Sequence, residues 1–223
     1  MNKSILIVAP HADDETLGCG GTILRYLKEG FLVHWLLVTS MSKDSGFSDE
    51  QINARASEIK QVYEAYGFES IHLLGYPPAQ LDLIGKGELV DKISDVVNKI
   101  QPFEVFTVYR NDSHSDHQAV FDAVLSATKS FRYPFIKRVV AYETMSETDF
   151  GLKPEDRGFR PNIFIGIEKF LEKKLDILDI YKSEVQDFPF PRSRIGLTAL
   201  ANLRGTQCNE KAAEAFMLLK EIR

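Results

Sequence analysis

Residues Ile5–Ala9 form an unbroken apolar run, and the polar stretch His11-Ala12-Asp13-Asp14-Glu15 follows after a single proline. A segment that is apolar at every position has to be buried on both faces, which is the situation of a central strand in a parallel sheet. The chain repeats this alternation. Further β-type runs fall at Phe31–Thr39, Ile71–Leu74, Glu104–Tyr109, Val139–Glu143 and Ile163–Ile167. Between them lie segments with helical spacing of apolar residues. Gly18–Gly21 reads as the start of a helix over Thr22–Glu29, with Gly30 as its terminator. Asn53–Tyr66 carries Ile59, Val62 and Tyr63 on one face and stops at Gly67, and Glu88–Ile100 ends before Pro102. Asp116–Thr128, Phe170–Tyr181 and Glu210–Leu219 complete the helices. The pattern predicts an α/β domain with a mainly parallel sheet, whose functional groups lie at the carboxyl ends of the strands. Two polar segments, Ser40–Glu50 and Ser146–Pro161, read as surface loops and as candidate walls of a site.

With 223 residues the chain fits one domain, spanning residues 1–223, with ample material for a core. The hydrophobic content of 44% and charged content of 26% are ordinary for a soluble globular protein. A formal net charge of -5 gives no basic footprint, so nucleic acid is not an expected partner. The apolar run near the start is too short for a secretory segment or a membrane span. Cys19 and Cys208 make neither a disulfide framework nor a metal-type spacing, which is consistent with a cytoplasmic protein. A lipid-linked substrate and a homo-oligomeric state both remain compatible with these features.

Two clusters carry the chemistry. One is His11-Ala12-Asp13-Asp14-Glu15 after the first strand, and the other is Asp112-Ser113-His114-Ser115-Asp116-His117 after the fourth. Three of the five histidines sit in them. A catalytic zinc takes three His or carboxylate ligands and keeps one position open. His11 and Asp14, three residues apart, can aim at one point, and His117 can supply the third ligand from the facing loop. Asp13 is then a free carboxylate adjacent to the metal and a candidate general base. His114 is a candidate donor to a developing oxyanion. Asp116 is expected to hold one of the two histidines of its cluster in the right tautomer. The competing structural explanation is that the paired aspartates merely cap a helix. One zinc per chain is expected, and ferrous iron is the alternative that the same ligand set accepts.

The residues His11-Ala12-Asp13-Asp14-Glu15, with the following Thr16-Leu17-Gly18-Cys19-Gly20-Gly21-Thr22, resemble the LmbE/PIG-L family of zinc-dependent N-deacetylases. His114-Ser115-Asp116-His117 resembles that family's second motif. Ala12 departs from the family's usual proline and removes no ligand. Arg55-Ala56-Ser57-Glu58, Tyr142-Glu143-Thr144, Pro161-Asn162, Arg204-Gly205 and Ala213-Glu214-Ala215-Phe216 extend the likeness over most of the chain. The resemblance implies a Rossmann-like three-layer α/β fold that needs no nucleotide. It also implies removal of an N-acetyl group from an N-acetylglucosamine-type amino sugar conjugate, linked to inositol, to malate or to other glycans. By position it makes His11, Asp14 and His117 zinc ligands, Asp13 the base and His114 the oxyanion partner.

Four further residues are candidates for substrate binding. Arg55 is a sugar or phosphate ligand, or else a helix arginine paired with Glu58. Asp82 binds sugar hydroxyls, or is a plain turn residue. Tyr142 lines the pocket, or packs in the core. Arg204 is a substrate clamp, or forms a helix-end salt bridge. His34 and His72 lie within apolar strands and are expected to be packed and hydrogen-bonded, with Cys19 a small packing residue. Three rival readings carry less. Gly18-Cys19-Gly20 superficially suggests a dinucleotide site, but Ile23 occupies the third glycine position and Thr39-Ser40 stand where an acid is needed. A non-catalytic carbohydrate-binding protein would have lost a ligand or the base, and none is lost. A different metal-assisted hydrolase is the remaining alternative. Phosphoryl sites often use two metals, whereas these clusters offer ligands for one, as a single-metal amidohydrolase would.

Overall fold

The computed structural model describes residues 3–153 and 157–223. Seven strands form one sheet in the order β3-β2-β1-β4-β5-β7-β6. β1 (Ser4–Ala9), β2 (Leu32–Thr39), β3 (Ser70–Tyr76), β4 (Glu104–Val108) and β5 (Arg138–Tyr142) run parallel. β7 (Ala213–Glu221) is antiparallel to both β5 and β6 (Ile163–Gly166).

The continuous apolar run of β1 has the expected consequence. Ile5, Ile7 and Ala9 face one core with Leu17, Val62, Tyr66, Leu175 and Leu197, while Leu6 and Val8 face a second with Leu89, Ile93, Val120 and Val124. The first core is closed by α1 (Asp14–Lys28), α2 (Asp49–Tyr66), α5 (Leu171–Leu178) and α6 (Arg194–Thr206). The second is closed by α3 (Lys86–Ile100) and α4 (Ser115–Ser126). The result is a three-layer α/β sandwich. Chain order reverses between β1 and β4, so the loops after these two strands flank a crevice at the carboxyl edge of the sheet. His34 and His72 share the Ser70 hydroxyl, at 2.8 and 3.0 Å.

Three elements differ from the sequence expectation. First, α1 starts at Asp14, so the glycine run lies inside the helix. Helical geometry breaks at Cys19 (φ -140, ψ 18). A side chain at Gly18 would strike the Tyr142 ring, and one at Gly21 would meet Ile167 at 2.8 Å. These glycines therefore let α1 lie close to the sheet. Second, Glu210–Leu219 was expected to be helical but forms most of β7. Its alanines and leucines favour a helix, but the segment fills the slot between β5 and β6, and tertiary pairing overrides propensity. Third, α6 was not anticipated, because Gly196 and Gly205 obscure its period. Ser193 caps it by accepting from the Gly196 amide at 3.1 Å.

β7 also repairs the break in α1. The Glu214 carboxylate accepts from the Gly21 and Thr22 amides at 2.9 and 2.7 Å. Lys174 donates to the Leu17 carbonyl at 2.9 Å and to Glu214 at 2.7 Å. A straight helix would join Gly21 to Leu17 directly. Here a buried ion pair stands in for that bond. Glu214→Ala leaves Lys174 buried without its anion and is expected to lower unfolding stability by about 3 kcal/mol. Urea denaturation measures this, and a change below about 0.5 kcal/mol, the range of ordinary surface substitutions, would show that the pair is dispensable.

Candidate metal centre and active-site cleft

The loop after β1 begins the site. The Asp14 carboxylate accepts from the His11 backbone amide at 2.9 Å, which closes the turn and brings both side chains to one side. Asp13 sits at the N-cap of α1 with φ 149, a costly conformation for a non-glycine residue. Its side chain makes no capping hydrogen bond, so the capping explanation for the paired aspartates does not apply to it. Glu15 holds the strained residue by accepting from the Asp13 amide at 3.2 Å, and it also accepts from the hydroxyls of Thr16 (2.6 Å) and Tyr181 (2.8 Å).

The loop after β4 faces this turn. His11 Nδ1 lies 3.3 Å and His117 Nε2 lies 3.4 Å from Asp14 Oδ2. Tetrahedral coordination with ligand distances of about 2.1 Å separates ligand atoms by roughly 3.4 Å, so these two separations are compatible with a shared metal ion, and the three residues offer ligand atoms within 4.8 Å of one another. The buried His117 Nε2 has no hydrogen-bond partner among the described residues. A metal would satisfy it. A second grouping, His11, His114 and Asp116, also lies within reach of a common ion. In that grouping Asp116 is already spent on the backbone amides of Ala79 (2.7 Å) and Leu81 (3.0 Å) and on His11 Nε2 (2.9 Å). The residues His11, Asp14 and His117 therefore fit a single metal ion better.

Carboxylates behind the triad fix its tautomers. Asp116 takes His11 Nε2, leaving Nδ1 toward the metal position. This corrects the expectation that Asp116 serves a histidine of its own cluster. Asp112 serves His117, at 2.6 Å from Nδ1. His114 Nδ1 accepts from the Asp116 amide at 3.1 Å, so Nε2 carries the proton when the ring is neutral. Burial, and then the neighbouring His11, push the His114 pKa down and favour that neutral donor form.

The adjacent aspartates are driven apart. Burial and then the Asp14 charge push Asp13 well above the usual carboxylate range, against the pull of Arg192. Burial also opposes the charge on Asp14, but His117 and His11 outweigh it and hold Asp14 well below the usual range. His11 and His117 are desolvated as well. The carboxylates beside them reverse that effect and raise His11 to about 9 and His117 to about 10.

The cavity over this centre has a volume of about 210 Å³. His11, Asp13, Asp14, His114, His117 and Arg55 line it, as do Ser40, Met41 and Phe47 from the first expected loop and Glu147 from the second. Pro154–Asp156 of that second loop lie outside the described residues. Arg55 donates to the Ala12 carbonyl (2.7 Å), to Ser183 (2.8 Å) and to Glu184, with Glu58 at 3.2 Å. Three other candidates take the structural alternative given for each. Asp82 is exposed in a short helical turn after β3 and lies outside the cavity lining. Tyr142 is fully buried and donates to the Val8 carbonyl at 2.8 Å. Arg204 forms a bidentate pair with Glu143 at 2.8 and 2.6 Å, away from the metal triangle. Arg192, Glu184 and Glu147 were missed. Arg192 Nη1 lies 2.6 Å from Asp13 Oδ2 and 3.0 Å from Glu184, and Nη2 lies 3.2 Å from Glu147. No motif marks Arg192, because it arrives from a proline-bracketed loop distant in sequence. Asp112 lay in plain view at the head of its cluster, but its pairing across the turn to His117 follows only from the fold.

Residues 6–128 match the family model described as PIG-L: GlcNAc-PI de-N-acetylase. A probable N-acetyl-alpha-D-glucosaminyl L-malate deacetylase 2 of Bacillus cereus is 27% identical over 198 residues, covering 83% of this chain and 86% of that protein. The N,N'-diacetylchitobiose deacetylase of Pyrococcus horikoshii has the same fold, with a TM-score of 0.78 at 19% identity over 98% of this chain and 84% of that one. A 4-carboxy-2-hydroxymuconate hydratase from Pseudomonas putida shares the fold too, with a TM-score of 0.72 at 19% identity over 99% of this chain and 98% of that one. The fold thus accommodates more than one reaction, and the site has to decide which.

The metal triangle makes a direct prediction. His117→Ala should strip zinc from the purified protein, as read by elemental analysis. Asp112→Asn, which keeps all three ligands, should weaken zinc in chelator competition by roughly 10- to 100-fold. Full zinc occupancy in His117→Ala would remove that residue from the ligand set.

Proposed function

The chain belongs to the PIG-L family, and from that premise we propose that it hydrolyses the acetamide of an N-acetylated amino sugar with the help of one zinc ion. The observation that carries this reading is Asp13. A strained, uncapped carboxylate faces the same cavity as three ligand atoms spaced for a single metal. The relatives' names as N-acetylglucosaminyl deacetylases agree with it. Zinc bound by His11, Asp14 and His117 supplies Lewis acidity toward the amide carbonyl and toward water.

The chain's own residues do the rest. Asp13 accepts the proton of the attacking water and then passes it to the nitrogen that leaves as the amine. The neutral His114 donates its Nε2–H to the carbonyl oxygen as negative charge develops there. Arg192 pairs with Asp13 and fixes the direction of its carboxylate. Asp116 and Asp112 act through the histidines that they orient. The chain is proposed to work as one domain in the cytoplasm. Free Cys19 and Cys208 support that location.

Asp13→Asn should retain zinc and lose about 10²- to 10⁴-fold in turnover. His114→Ala should lose about 10²- to 10³-fold in kcat. Amine release from N-acetylglucosamine conjugates, with metal content measured in parallel, tests both. Near-wild-type turnover by zinc-loaded Asp13→Asn would overturn the assignment of the base.

A further inference from the structure

The charge arrangement over the metal triangle bears on the group attached to the sugar, and this step rests on the deacetylase reading of the same cavity. Among the described residues, Arg55 and Arg192 are the only arginine or lysine side chains lining it. Neither is free. Arg55 is held by Glu184, Ser183, Glu58 and the Ala12 carbonyl. Arg192 is held by Asp13, Glu184, Glu147 and Ser146. Glu184 bridges both guanidinium groups, so displacing it from one would disturb the other. Glu147 is anchored from behind by the Ser113 hydroxyl at 2.5 Å. The two guanidinium groups are shared among four carboxylates, Asp13, Glu58, Glu147 and Glu184, so acid is in excess around them. Among the described lining residues no arginine or lysine charge is left over to receive a carboxylate or phosphate. Met41, Phe47, Ile59 and Pro78 supply an apolar wall to the same cavity.

We propose that the cavity selects N-acetylglucosaminides whose aglycone is uncharged and apolar-faced, with Glu147 and Glu184 excluding anionic aglycones and Phe47 contacting the accepted ones. An anion entering beside these carboxylates meets like charge in a partly desolvated space, which is costly. An aromatic or other apolar face gains from contact with Phe47.

The test is kcat/KM for amine release by the zinc-loaded enzyme on the phenyl glycoside, the methyl glycoside, the malate conjugate and the 1-phosphate of N-acetylglucosamine. The phenyl glycoside should exceed both anionic conjugates by about tenfold or more. Glu147→Gln should narrow that gap severalfold, and Phe47→Ala should abolish the advantage of phenyl over methyl. Equal or faster turnover of the malate or phosphate conjugate would overturn the proposal while leaving the deacetylase reading intact. An unchanged gap in Glu147→Gln would overturn the role of that carboxylate, and a retained phenyl advantage in Phe47→Ala would overturn the apolar contact. Amine release from none of the four by zinc-loaded protein would overturn the deacetylase reading and this proposal with it.

Discussion

Asp116 ties three loops to one carboxylate, and the cleft takes its form from that knot. The side chain is fully buried and engages His11 from the loop after β1, while the Ala79 and Leu81 amides reach it from the loop after β3. Asp116 itself lies in the first turn of α4, where the loop after β4 ends. A buried carboxylate without partners would be costly, so the arrangement persists only while all three segments are in place. Asp112 repeats the device. It takes His117 on one oxygen and the Thr148 hydroxyl on the other, at 2.7 Å, which draws in the loop after β5. Each histidine of the metal triangle is thus aimed by an acid that is itself held by another part of the fold. Such support keeps ligand atoms in register before any ion arrives.

The strain at Asp13 is offset from an equally broad set of elements. Glu15 holds its amide, and Tyr181, following α5, holds Glu15. The Thr16 hydroxyl, which donates to Glu15, accepts in turn from Tyr66 at the end of α2. One turn further along, the break in α1 at Cys19 is repaired by Glu214 and Lys174 from β7 and α5. Helix α1 is bent and pressed against the sheet, and both departures from ideal geometry lie within two turns of the metal triangle. Packing partners from the C-terminal half of the chain stabilise conformations that the N-terminal motif would not hold alone.

The features legible in the sequence were those set by local pattern. A continuous apolar run located β1, because a strand buried on both faces leaves no room for polar alternation, and largely apolar runs interrupted by His34 and by Glu104 and Thr107 located β2 and β4. The two acidic and histidine clusters were visible because few structural roles call for that composition at a strand end. What escaped was set by tertiary context. The segment 210–219 has strong helix formers and becomes a strand because an antiparallel slot awaits it. The glycines after Leu17 looked like a helix start, but their purpose is close approach to Tyr142 and Ile167, which no local pattern encodes. Arg204 and Tyr142 were visible as unusual residues, yet their donors are consumed by Glu143 and by the Val8 carbonyl. Arg192 reaches Asp13 across 179 positions of sequence, so the partner of the proposed base was invisible until the chain was folded.

Asp13 and Asp14 show how environment divides labour between chemically identical neighbours. Both are buried, and burial alone would raise both pKa values. Asp14 lies between two histidines whose positive charge more than cancels that effect, so it is held as an anion where a cation would sit. Asp13 meets the field of Asp14 as well as its own desolvation, and is driven upward despite Arg192. A pair of acids pushed in opposite directions is the arrangement expected when one must stay charged as a ligand and the other must exchange a proton. The φ of 149 falls on Asp13, so the strained position and the acid that is driven upward are the same residue. Glu15 grips its amide and Arg192 its carboxylate, so the contacts that hold the strained backbone also hold the proposed base.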